Sequence, residues 1–184
     1  MVIIMVRVAS LLKWLSPVRS EPKITVYLID YTMPCEESLF LVERRRNGRI
    51  EKYWIGPKEI YNRIKQLRFE FYGLLKDYGA IRTRIGYIIE DPSGLKAYLN
   101  EWLRKWDDID KEMKHLIEKP SDYPDHLEFM KNIVKLHLPW PPKESWKSIR
   151  ERVRVEFLPL KLPKSKYESL IEEAITRIEE DQEE

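Results

Sequence analysis

The feature that most constrains this chain is Asn47-Gly48, set between two apolar arms that run from Leu39 to Ile55. An Asn-Gly pair accepts the two positive φ values of a type I′ turn, and a two-residue loop of that type fixes the strand register. The cross-strand partners can therefore be written down: Arg44 with Glu51, Glu43 with Lys52, Val42 with Tyr53, Leu41 with Trp54 and Phe40 with Ile55. Two pairs oppose unlike charges and three oppose apolar groups, so turn, register and chemistry agree. The tip carries Arg45, Arg46 and Arg49, and this register gives none of them an acidic partner.

The periodicities on either side extend the reading. Lys23 to Tyr31 alternates, with Ile24, Val26 and Leu28 on one side and Thr25, Tyr27 and Ile29 on the other, as in a strand partly buried on both faces. After Gly56-Pro57 the spacing of Ile60, Ile64, Leu67, Phe71, Leu74, Leu75 and Tyr78 predicts a helix, which Gly79 stops. Ile81 to Ile89 alternates again as one strand. Asp91-Pro92-Ser93 offers caps for a long helix to about Glu118, with Leu95, Tyr98, Leu99, Trp102, Trp106, Ile109, Met113 and Leu116 as its core stripe.

A third helix is expected from Pro124 to Leu138, broken by Pro139-Trp140-Pro141-Pro142. That run reads as a rigid connector with Trp140 and Trp146 in the core, or as a short polyproline segment offered to a partner. A short helix near Lys143 to Glu151, a strand from Val153 to Leu162 and a last helix follow. The last helix is opened by the capping box of Ser165 and Glu168 and ends in an acidic tail. The sum is α+β: an antiparallel-rich sheet of about five strands with a central β-hairpin, packed against three to five helices. One domain over residues 1–184 is expected, with a helical sub-lobe at 92–151 as the alternative and an acidic C-terminal helix at 164–184.

Composition removes several classes of function. The single cysteine, Cys35, excludes a disulfide framework and a multi-thiolate zinc site, and it suits a reducing, cytoplasmic compartment. Hydrophobic residues at 43% exclude a disordered chain. Two Gln and four Asn beside abundant Glu, Lys and Arg are the composition expected of a heat-loving organism. No apolar run is long enough for a membrane span. Arg7 and Lys13 interrupt the apolar N-terminus, which reads as a strand at Val2 to Val8 followed by a helical turn over Leu11, Leu12 and Leu15. The six glycines form no Walker or dinucleotide pattern, so no nucleotide cofactor is implied.

Catalytic constellations are equally sparse. His126 and His137 lie eleven residues apart, too far along one helix to share a metal. His115, on the preceding helix, could meet His126 or His137 with Asp122 or Asp125, but structural histidines are the simpler reading. Cys35 has Glu36 and Glu37 beside it, where a nucleophilic thiolate wants positive neighbours. Asp107, Asp108 and Asp110 point in different directions on a helix and read as a solvated face. No catalytic residue, metal or cofactor is assigned.

The distribution of charge says more than any motif. The formal net charge of +2 hides a segment, residues 42–84, with twelve basic and five acidic groups, and a segment, 168–184, with eight acidic groups and one arginine. Within the basic segment, Tyr61, Lys65, Arg68 and Tyr72 fall at i, i+4, i+7 and i+11 beside the core stripe of their helix. With the hairpin tip and with Arg82 and Arg84, they form a candidate surface for DNA or RNA, the cations gripping phosphates and the tyrosines stacking on bases. The simpler alternative packs the tyrosines at the core edge and leaves the charges as solvated surface. Three functions follow: a non-catalytic nucleic-acid-binding protein, a module for self-assembly or a protein partner, and an enzyme with an unrecognised site near Asp122, Asp125 and His126.

Overall fold

A computed structural model describes residues 21–183. The strand and turn expected between Val2 and Leu15 lie outside them. In chain order the elements are β1 (Lys23–Thr32), α1 (Glu36–Phe40), β2 (Leu41–Arg46), β3 (Arg49–Trp54), α2 (Lys58–Asp77), β4 (Ile81–Thr83), β5 (Gly86–Ile89), α3 (Ser93–Glu118), α4 (His126–Lys135), β6 (Arg154–Pro163) and α5 (Lys164–Glu183). The fold is α+β, as expected. The strands form a four-stranded antiparallel sheet in the order β4-β5-β1-β6 and a separate two-stranded sheet, β2-β3. By contact, the described chain divides into two compact units. One, the arm unit, comprises Tyr31–Gly73 and Ala97–Arg154; the other, the sheet unit, comprises 21–30, Leu74–Lys96 and 155–183.

In the arm unit the hairpin keeps the register read from its turn, from Leu41 opposite Trp54 to Arg46 opposite Arg49. Asn47 and Gly48 supply the positive φ values, 52° and 75°. The strands are shorter than the apolar arms suggested. Leu39 and Phe40 close the helical turn α1, where both side chains are buried. A single hydrogen bond from Ile55 N to Phe40 O, 2.9 Å, carries the pairing one residue further. The hairpin is therefore an independent ribbon and not the centre of a larger sheet. Charged side chains cover both of its faces beyond Val42, and charged edges resist pairing with further strands.

Aromatic packing anchors this unit. Phe71 lies 5.0 Å from Trp102, Trp102 lies 5.9 Å from Trp106, and Phe40 lies 5.5 Å from Trp146. Trp140 stacks on Phe129 at 6.5 Å. The indole N–H groups of Trp102, Trp140 and Trp146 donate to the carbonyls of Leu67, Ile117 and Leu39. Gly56 permits the approach of Phe40, because a Cβ there would sit 2.3 Å from Phe40 Cδ1. Tyr98, expected in the core stripe of α3, is instead 54% exposed. The helix α4 stops at Lys135, short of Leu138, because His137 takes a left-handed φ of 55° and Leu138 N turns back to Ile133 O. In place of one short helix near Lys143 to Glu151, two 3-10 turns form at Glu144–Lys147 and Arg150–Arg152.

The sheet unit buries Leu28 and Ile88 in one cluster and Val26, Leu162 and Leu170 in another. Tyr167 and Ile171 of α5 pack against it. The segment read as one strand, Ile81 to Ile89, is a second hairpin with Thr83 opposite Gly86. Gly86 adopts φ 121°, and Thr83 Oγ1 both donates to Gly86 O and accepts from Ile85 N, so the chain reverses at Arg84-Ile85. The expected capping box of α5 is also replaced. Glu21 Oε2, not Glu168, accepts from the N–H and the hydroxyl of Ser165, at 3.2 and 2.5 Å, and these bonds hold the Glu21 carboxyl below its usual range.

Candidate nucleic-acid interface

The ribbon β2-β3 is tethered at its base and exposed beyond it. Asn132 Nδ2 of α4 donates to Trp54 O at 2.7 Å. Trp54 packs edge-on against Tyr61 at 4.8 Å, and Lys58 Nζ lies 5.3 Å over the Trp54 ring. From Glu43 to Ile50 every residue is exposed.

Side chains alternate along each strand, and directly opposed residues share a face. The register therefore sorts the ribbon's charges. One face carries Arg44, Arg46 and Arg49 with Glu51; the other carries Arg45 and Ile50 beyond the Glu43–Lys52 pair. Glu51 accepts a short hydrogen bond from the Tyr53 hydroxyl, which raises the Tyr53 pKa. Lys135 Nζ of α4 sits 5.0 Å over the Tyr53 ring, adding a cation beside the arginine-rich face. Nothing in the sequence announced Lys135, because helix α4 and the ribbon meet only in the tertiary fold. Among the described residues Arg45, Arg46 and Arg49 form no ion pair. Arg46 instead stands opposite Arg49, a like-charge arrangement that disfavours the bare ribbon.

The stripe on α2 is disposed otherwise. Arg68 Nη1 donates to Glu36 Oε2 at 2.6 Å, and Glu36 is only 6% exposed. That hydrogen bond raises the Arg68 pKa, outweighing its partial burial. Tyr72 packs edge-on against Phe71 at 5.7 Å and Tyr31 at 6.1 Å. Tyr61 is half-buried against Trp54, and burial, then Glu37 and Glu36, push its pKa up. Lys65 is exposed and sits 5.9 Å over Phe69, itself exposed. Of the stripe, only Lys65 presents a charge that no carboxylate among the described residues has taken.

The last two candidates belong to the sheet unit. Arg82 is exposed on β4, and Arg84, in the turn after it, has its Nε 3.7 Å from Glu173 Oε2 of α5. The structure thus places seven of the nine sequence candidates in the arm unit and two in the sheet unit.

The groups considered for catalysis are occupied locally. His115 Nε2 lies 2.7 Å from Asp122 Oδ2, with both side chains about half exposed. Asp125 Oδ2 accepts from Lys58 N at 3.0 Å and so caps the first turn of α2, while His126 Nδ1 lies 2.8 Å from Tyr123 O. Asp107 pairs with Arg150 and Asp110 with Lys114. Cys35 Sγ is 3.6 Å from Arg68 Nη1, a cation brought from α2 and invisible in the local sequence. Among the described residues no group of three or more His, Cys, Asp or Glu could hold a metal ion, and no helix is long and apolar enough to cross a membrane. No family model matches the chain, and neither a curated protein nor a solved structure does.

Proposed function

We propose that this protein is a non-catalytic nucleic-acid-binding protein that grips a phosphate backbone with the tip of the β2-β3 arm. The observation that carries the reading is the state of Arg45, Arg46 and Arg49: exposed, on a ribbon tethered at its base, and in no ion pair among the described residues. Phosphates supply what the Arg46–Arg49 juxtaposition lacks, an anion between two guanidinium groups, and each such contact releases condensed counterions. A two-stranded ribbon with cations on both faces suits the major groove of B-form DNA, which admits such a ribbon. Tyr61 and Tyr72 are committed to protein rings, so base stacking on a single strand has little to offer. Duplex DNA is therefore the preferred partner. Fluorescence anisotropy with matched duplex and single-stranded DNA, and with RNA, tests this. The duplex should bind tightest, and joint replacement of Arg45, Arg46 and Arg49 by Ala should weaken that binding strongly. Binding unaffected by that replacement, or stronger to the single strand, contradicts the reading.

A second reading, self-assembly, has one observation in its favour. Ile175 and Ile178, four and seven places after the half-buried Ile171, lie exposed on the last turns of α5. Light scattering distinguishes it, since a strict monomer at high concentration removes it.

A further inference from the structure

The sheet unit holds a cleft of its own. Its volume is about 420 Å³, within the range of small-molecule sites. Val26, Ile88 and Ile89 border it but are already buried, so half-buried Ile81 is the aliphatic side chain that it leaves open. Two aromatic rings, Tyr78 and Tyr167, border it, and Gly79, with open space where a Cβ would stand, leaves one side unobstructed.

The charged groups that the described residues bring to this cleft share one sign. Among the described residues its lining includes no lysine, arginine or histidine, while Glu90 and Asp91 both contribute to it. Asp91 is spent on the start of α3, its Oδ1 accepting from the N–H and the hydroxyl of Ser93. Glu90 is different. It is exposed, it accepts a short hydrogen bond from the Tyr167 hydroxyl, and it forms no ion pair among the described residues. Burial and then Glu90 push the Tyr167 pKa up to about 12, so near neutral pH the phenol stays a donor. Aromatic faces also attract cations.

We propose that this cleft binds a primary ammonium carried on an apolar tail. The ammonium pairs with Glu90, and the tail lies over Ile81 and the faces of Tyr78 and Tyr167. A carboxylate ligand would meet Glu90 as a like charge, and a neutral alcohol would gain the apolar contacts without the ion pair.

The probes are n-hexylammonium, n-hexanol and hexanoate, titrated into the full chain and followed by amide chemical shifts. The expected result is saturable millimolar binding of hexylammonium, with shifts centred on residues 78–91 and 167. Hexanol should bind more weakly and hexanoate not at all. Glu90→Gln, an isosteric change at an exposed position, should weaken hexylammonium about fivefold and leave hexanol unchanged. No saturable binding of hexylammonium, hexanol or hexanoate binding as well as the amine, or an unchanged affinity in Glu90→Gln would each overturn the proposal.

Discussion

Arg46 and Arg68 both stand in basic, aromatic stretches of the arm unit. Arg68 has Nη1 2.6 Å from a carboxylate that is itself almost fully buried, and its neighbours Tyr61 and Tyr72 pack on protein rings. Arg46 has Arg49 across the ribbon and solvent around it. A guanidinium held by an internal carboxylate has lost most of its hold on an outside anion. One opposed to another guanidinium gains from any anion that arrives. Spacing along a helix reveals which residues share a face, but only the packed structure reveals whose charge is already spent.

Substitutions can break this contrast. The largest effect on stability is expected from Arg68→Ala, which strands the Glu36 carboxylate. Loss of a buried pair costs about 3–5 kcal/mol, and the 29% exposure of the Arg68 side chain lowers the expectation to about 2 kcal/mol. Urea unfolding should show a lower midpoint at unchanged m, and DNA affinity of the folded variant should stay within twofold of wild type. A loss of affinity equal to that of the tip variants would erase the contrast. A smaller cost, about 1 kcal/mol, is expected for Asn132→Ala, which removes the hydrogen bond to Trp54 O at the base of the arm. In the tip the sign reverses. Arg46→Glu should stabilise the fold by a few tenths of a kcal/mol (about 0.2–0.5), since an unlike pair replaces a like one, while weakening DNA binding. The same denaturation series and anisotropy measure both.

The smallest effect is a titration. Tyr61 should ionise above the ordinary tyrosine value of about 10. The folded state then holds its proton more tightly than the unfolded one, so this contribution to stability is complete below the unfolded value and fades as pH rises through the folded one. The Tyr61 ring carbon resonance, followed by NMR, reports it. An unshifted titration would mean an open ring, available for stacking after all.

Where sequence reading succeeded, local signals agreed with one another. Asn47-Gly48, the Glu43–Lys52 pair and the facing apolar residues all specify one register, and each opposed pair from Leu41–Trp54 to Arg46–Arg49 forms in it. It failed where a local pattern had two solutions. Ile81 to Ile89 alternates whether straight or folded back, and only the φ of 121° at Gly86 and the Thr83 hydroxyl decide for the hairpin. Ser165 and Glu168 match a capping box, yet Glu21, 144 residues away, takes the cap. The fate of the α2 stripe was likewise illegible. Glu36 reaches Arg68 from a five-residue helical turn that the apolar residues Leu39 and Phe40 had disguised as the start of a strand.

The central claim is that the arm tip, and not the α2 stripe, meets the phosphates. The most direct measurement is the slope of log K against log salt for duplex DNA in three proteins: wild type, Arg68→Ala, and the variant with Arg45, Arg46 and Arg49 all replaced by Ala. Each phosphate contact contributes about 0.9 to the slope, so the triple variant should lose about 2.7 while Arg68→Ala keeps the wild-type value. Equal slopes for wild type and the triple variant, or a loss confined to Arg68→Ala, would contradict the claim.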